Sequence, residues 1–230
     1  MSDFPEGKGM WFGFETSYSK KGVGKKCADA GVEYAFVECL NQNSNVSVTY
    51  KRERLIDDLL SNGIRVLPWA HVNPGEAPEL VETLSEAAHF LKEDWVVPDA
   101  EGYRNGDPSD AEDFVKEMHS RGFKIAVTGV GRSWLVPAWQ PWLKSDVGLL
   151  QLAHVEPKRV ESLFNDWMER FPQVVCVAEP YEGAKYGWTH KQVLNAMPIK
   201  FGSVSTWWYN YYTSKKLWDE LASLEIRGRS

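Results

Sequence analysis

Trp95-Val96-Val97-Pro98-Asp99-Ala100-Glu101-Gly102 joins four apolar residues to two carboxylates set two positions apart. On a strand, side chains two apart share a face. A strand from Trp95 to Glu101 would point Asp99 and Glu101 the same way, with Cα atoms about 7 Å apart. Paired carboxyls of this kind can divide acid–base work, one carrying a proton and the other staying ionised. The alternative is that Asp99 caps a loop and Glu101 pairs with Arg104.

The segments on either side repeat one pattern: an apolar run of strand length, then a longer amphipathic stretch. Upstream, the strands are Met10 to Glu15, Tyr34 to Leu40 and Arg65 to Val72. Helices are expected over Val23 to Ala30, Tyr50 to Ser61 and Pro78 to Lys92. Downstream, the strands are Lys124 to Gly129, Val147 to Ala153, Val174 to Glu179 and Phe201 to Trp208. Their helices run from near Asp110, capped by Ser109, to Gly122, then Pro157 to Arg170, Thr189 to Ala196 and Ser214 to Leu224. Ser133 to Lys144 is rich in Trp and Pro and holds at most a short helix.

Eight such units predict an α/β fold: a single (β/α)8 TIM barrel spanning residues 1–230. An open doubly wound sheet is the runner-up. The barrel is preferred because polar and aromatic residues gather at the C-terminal ends of nearly every strand. In a barrel those ends form one mouth, where active sites are built.

In chain order the mouth collects Glu15, Glu38, Trp69, His71, Asp99, Glu101, Thr128, Gln151, His154, Glu179, Trp207, Trp208 and Tyr209. Asp99 and Glu101 are the catalytic candidates. Glu15, Glu38, Trp69, His71, Gln151, Glu179, Trp207 and Tyr209 are the candidates for holding a substrate. Carboxylates crowded into one mouth raise one another's pKa, a cost that function can explain. The chain carries 11 Trp, whose broad faces suit the flat C–H faces of sugar rings. Trp134, Trp139 and Trp142 either extend that groove or simply pack the segment that carries them. Two carboxyls with aromatic platforms are what cleavage of a glycosidic bond requires.

The fourth-strand segment resembles the catalytic strand of the GH25 lysozymes and of related glycoside-hydrolase-like (DUF1906-type) barrels. Gly13-Phe14-Glu15-Thr16-Ser17 looks like that family's first strand, with Glu15 where the family has Asp. Pro68-Trp69-Ala70-His71-Val72 looks like its aromatic third strand. The resemblance implies lysozyme-like cleavage of bacterial cell-wall glycan, with Glu101 as proton donor and Asp99 as stabilising or nucleophilic partner. GH18 chitinase barrels, more distant, also end the fourth strand in Asp-X-Glu and place Trp on the eighth.

Composition narrows the partners. The net charge is −6, from 26 basic and 32 acidic residues. No basic stripe marks a nucleic-acid binder, and no apolar run approaches a membrane span. Acidity gives no electrostatic pull toward anionic walls, so local delivery by a phage, as endolysin or virion-associated lysin, suits the chain. The polysaccharide and other virion proteins are then the expected partners. A saccharide-binding or structural virion barrel is the second reading. Met1 to Gly9 lacks the apolar core of a secretory signal, so synthesis in the cytoplasm is expected, with action at the wall or carriage in a virion. No cofactor is expected. His71, Asp99, Glu101 and His154 could in principle converge as N/O metal ligands, but no tight motif such as His-X-His stands on the first strand and no cysteine pair has zinc-site spacing, so no metal is expected either. Cys27, Cys39 and Cys176 read as buried thiols.

Overall fold

A computed structural model describes residues 3–5, 7–13, 22–39, 50–103, 105–152, 155–178, 203–206 and 215–223. The strands are β1 (Gly7–Phe12), β2 (Val32–Glu38), β3 (Arg65–His71), β4 (Trp95–Asp99), β5 (Lys124–Val130), β6 (Val147–Gln151), β7 (Gln173–Ala178) and β8 (Ser203–Thr206). All pair in parallel, in chain order, and β8 returns to β1 to close the ring. The helices are α1 (Val23–Asp29), α2 (Tyr50–Ser61), α3 (Ala77–Leu91), α4 (Pro108–Ser120), α5 (Val160–Met168) and α6 (Lys215–Ser223). Among the described residues none is long and apolar enough to cross a membrane.

The expected order of elements is observed, and the boundaries move in informative ways. β1 ends at Phe12, and Glu15 lies outside the described residues. β4 ends at Asp99, which takes Glu101 off the strand. Asp107, not Ser109, caps α4: its carboxylate accepts the Ser109 amide at 2.9 Å, and Pro108 opens the helix. Pro157–Arg159 forms a 3-10 turn ahead of α5 rather than its first α-turn. Two 3-10 segments, Ser133–Leu135 and Pro137–Lys144, stand between β5 and β6. Pro141, inside the second segment, lacks the amide that a regular α-helix would use there. The expected helix Thr189 to Ala196 lies outside the described residues.

Strand alternation sorts the core into an inside and an outside. One buried cluster draws Trp11, Tyr34, Phe36, Leu67, Trp69, Trp95, Val97, Ala126, Val147, Leu149, Val175 and Val177 from seven strands and nothing from a helix. It fills the barrel. Phe4 closes its lower end, edge-on to Trp95 with centroids 4.9 Å apart. The alternate strand residues, such as Met10, Val37, Val66, Val96, Ile125 and Leu150, pack outward against the helices. Cys27, Cys39 and Cys176 are buried free thiols.

Two polar devices tie the helices to this frame. Lys8 Nζ is buried and donates to the carbonyls of Leu221 at 2.6 Å and Ala30 at 3.2 Å. One cation thus satisfies the C-terminal carbonyls of α6 and α1 beside the β1–β8 seam. On the neighbouring edge, the Gly24 amide donates to Asp58 Oδ2 at 2.8 Å, drawing α1 onto α2. A Cβ at residue 24 would overlap the Asp58 backbone carbonyl. Gly24→Ala should therefore cost about 1–3 kcal/mol, the usual range for overpacking. Urea unfolding of the variant against wild type measures it; an unchanged midpoint would show that the two helices separate freely.

Candidate active site

The inward parity of the core continues one step up each strand. Phe36 leads to Glu38, Trp69 to His71, Val97 to Asp99, Ala126 to Thr128 and Leu149 to Gln151. Five of the polar residues at strand ends therefore face one mouth. Of these, Glu38, Asp99, Thr128 and Gln151 are buried, and His71 is partly exposed. Glu15, His154, Glu179, Trp207, Trp208 and Tyr209 lie outside the described residues.

Register builds the centre of the site. His71, Asp99 and Thr128 are successive Cα partners across β3, β4 and β5. His71 Nδ1 stands 3.0 Å from Asp99 Oδ2. The Thr128 hydroxyl donates to Asp99 Oδ1. The same oxygen accepts the Glu101 amide at 3.2 Å. Both oxygens of the buried carboxylate are thus engaged by protein donors.

Glu101 belongs to a turn rather than to the strand. The Ala100 carbonyl accepts the Tyr103 amide at 3.1 Å, which places Glu101 at the second position of a β-turn. Asp99 bonding the amide two residues on is the capping role open to an Asp at such a bend. Strand spacing therefore does not set the geometry of the Asp99–Glu101 pair. The turn does, and it is held from outside the barrel. Trp139 Nε1 donates to the Ala100 carbonyl at 3.0 Å. Tyr103 is fully buried, with its hydroxyl on the Asp107 carbonyl at 3.0 Å.

The tryptophans divide between floor and frame. Trp69 is 1% exposed, donates its N–H to the Phe12 carbonyl at 3.1 Å and meets Trp11 edge-on. It is the floor beneath His71 rather than an open sugar platform. Trp134, Trp139 and Trp142 are all buried in the outer layer, so they pack the segment and do not extend a groove. Gly129 makes room for this: a Cβ there would come within 2.7 Å of the Trp139 ring. Thr128, Trp139 and Tyr103 are the positioning residues that a search for carboxylates and exposed aromatics passes over. The signal for Thr128 was its strand-end parity. Trp139 sits far along the chain from Ala100 and carries no such signal.

Burial pushes the Asp99 carboxyl upward, but the hydrogen bond and charge of His71, with the Thr128 and Glu101 donors, outweigh it and hold Asp99 below its ordinary 3.8. For His71, burial pulls down. The Asp99 hydrogen bond and the charges of Asp99, Glu38 and Glu101 prevail and raise it above 6.5. Glu38 and Glu101 lie near enough for their charges to act on His71 in the same direction as Asp99. Among the described residues no group of three His, Cys, Asp or Glu side chains is placed to hold a metal ion.

No family model matches the chain, and no curated protein matches it. Solved structures do. The spore cortex-lytic enzyme SleL of Bacillus cereus superposes with a TM-score of 0.70 at 8% identity, covering 95% of this chain and 74% of that one. An endo-beta-N-acetylglucosaminidase from Cordyceps militaris gives 0.65 at 12% identity, over 96% and 90%. The family 18 chitinase from Crocus vernus gives 0.64 at 9% identity, over 94% and 98%. At these identities the likeness shows the fold alone: a barrel of parallel strands and helices. The resemblance to GH25 lysozymes remains one of sequence motifs.

The paired shifts set a pH window for stability. His71 is raised, so its contribution is complete below 6.5 and is lost as pH rises through the folded value. Asp99 is lowered, so its contribution is complete above 3.8 and is lost as pH falls through the folded value. The pair thus stabilises fully between 3.8 and 6.5 and less on either side. In Asp99→Asn the acid-side loss should shrink, and the His71 imidazole, followed by NMR, should titrate at a lower pH than in wild type. An unmoved His71 titration would mean that the two groups are not coupled in solution.

Proposed function

We propose that this protein is a glycoside hydrolase whose complete (β/α)8 barrel cleaves a bacterial cell-wall-type glycan, with Glu101 as proton donor and Asp99 as its ionised partner. The observation that carries this reading is the convergence of Glu38, His71, Asp99 and Glu101 on one barrel mouth. Glycoside hydrolysis passes through an oxocarbenium-like transition state that needs a proton for the leaving oxygen and negative charge near the sugar ring. Asp99, held ionised by three donors, supplies the charge. With both oxygens engaged, it suits electrostatic stabilisation and orientation better than covalent attack. Glu101, partly exposed on its turn, supplies the proton.

The barrels that resemble this one include a cortex-lytic enzyme, chitinases and an endo-beta-N-acetylglucosaminidase, which supports a polysaccharide as substrate. In this reading Glu15, Glu179, Trp207 and Tyr209 complete the sugar-binding wall together with Gln151. A net charge of −6 supports release at the wall by a phage, as endolysin or virion-associated lysin, over diffusion from outside. The capping role of Asp99 favours a second reading, a saccharide-binding barrel in a virion whose Asp-X-Glu is kept for structure.

Release of reducing ends from purified peptidoglycan and from chito-oligosaccharides separates the two. Wild type should release them, and Glu101→Gln should lose about 10²–10⁴-fold, the usual contribution of a general acid, with an unchanged melting temperature. Equal rates in both proteins would remove Glu101 as the acid. Glycan binding without cleavage by wild type would establish the second reading.

A further inference from the structure

The mouth sets three carboxylates around one imidazole. His71 on β3 is faced by Glu38 from β2, by Asp99 from β4 and by Glu101 from the turn beyond β4. Its Nδ1 is committed to Asp99 Oδ2 at 3.0 Å. The Trp69 indole meets its ring edge-on, with centroids 5.0 Å apart. That indole is itself anchored to the Phe12 carbonyl. The ring is thus fixed at one side and at its base, and the rest of its edge meets solvent in the mouth.

This placement does more than fill space. Asp99 receives two of its donors, Thr128 and the Glu101 amide, on Oδ1. Among the described residues His71 holds the other oxygen, Oδ2. A carboxylate gripped on one oxygen can still swing about its Cβ–Cγ bond; gripped on both, it cannot. The imidazolium is also a positive charge set beside Glu38, Asp99 and Glu101, and it attracts all three.

We propose that His71 is a positioning residue for glycan cleavage: as an imidazolium it holds Asp99 ionised and aimed across the mouth, and loss of its proton to solvent releases Asp99 and shuts the site down. The proposal rests on the glycosidase reading. A neutral imidazole can keep one N–H on Oδ2, but it no longer attracts the carboxylate as a charge. Asp99 is then held more loosely and can turn from the position where the transition state needs its charge.

The test is kcat and KM against pH for wild type, His71→Ala and His71→Asn, with the His71 titration followed by NMR in wild type. The Asn side chain offers an N–H near the position of Nδ1 and does not titrate. Wild-type kcat should fall on the alkaline side at the pH where NMR sees His71 lose its proton, with KM little changed. His71→Ala should lose about 100-fold in kcat, as expected when a reacting group is misplaced. His71→Asn should recover part of that loss and keep only the alkaline limb set by Glu101, with no inflection at the pH where His71 titrates in wild type. An inflection that stays at that pH in His71→Asn overturns the proposal. So does a wild-type profile with no inflection where NMR sees His71 lose its proton, which decides the matter even if His71→Ala does not fold. Unaltered profiles in an enzyme that Glu101→Gln silences would reject His71 alone. A wild type that cleaves no glycan overturns both readings.

Discussion

The buried carboxylate of Asp99 sets the terms for the rest of the mouth. An ionised group taken out of water is costly unless protein donors replace the lost solvent. Asp99 has three, and they come from three directions: an imidazole on β3, a hydroxyl on β5 and an amide just beyond β4. Two of the three depend on strand register, because His71, Asp99 and Thr128 lie side by side. A slip of one residue in β3 or β5 would turn that donor to the outer face. The third depends on the turn at Ala100, and that turn is held by Trp139 from beyond the barrel wall. Helical layer, strand register and site are therefore one mechanical unit.

The interior below this row explains why the polar groups sit where they do. Trp11, Phe36 and Trp69 fill the upper barrel, with Trp11 and Phe36 centroids 4.2 Å apart. Tyr34, Trp95 and Phe4 fill the lower part. Aromatic side chains of this size pack the barrel beneath the row of polar groups. The floor is apolar and the ceiling is wet. A hydrogen bond between charged partners gains strength on such a floor, and an unpaired charge there becomes correspondingly costly. The His71–Asp99 pair is the arrangement that this boundary permits.

Much of the fold was legible because it depends on short-range patterns. Apolar runs of strand length between amphipathic stretches mark the elements, and α2 covers the expected Tyr50 to Ser61. Strand-end parity placed Glu38, His71, Asp99 and Gln151 in one mouth, and burial agrees. What was not legible depends on contacts distant in the chain. Whether β4 runs on to Glu101 turns on the Asp99 side chain capturing the Glu101 amide and on Trp139 reaching Ala100. Alternation alone cannot tell a strand that continues from one that bends. Trp69 was read as a platform because aromatic residues at strand ends suit sugars. It is the floor instead, because its N–H is drawn to the Phe12 carbonyl.

The turn changes what the two carboxylates can be. On a continuous strand Asp99 and Glu101 would be near equivalents, alike in face and surroundings. Off the strand they are unlike. Asp99 is sealed and surrounded by donors, so protonating it means breaking bonds to His71 or Thr128. Glu101 spends its amide on Asp99 but stands partly exposed at the bend. In the proposed reaction the sealed carboxyl stays charged and the one on the turn carries the proton. The bend that spoils the simple strand geometry is thus what separates the two roles that the proposed reaction requires.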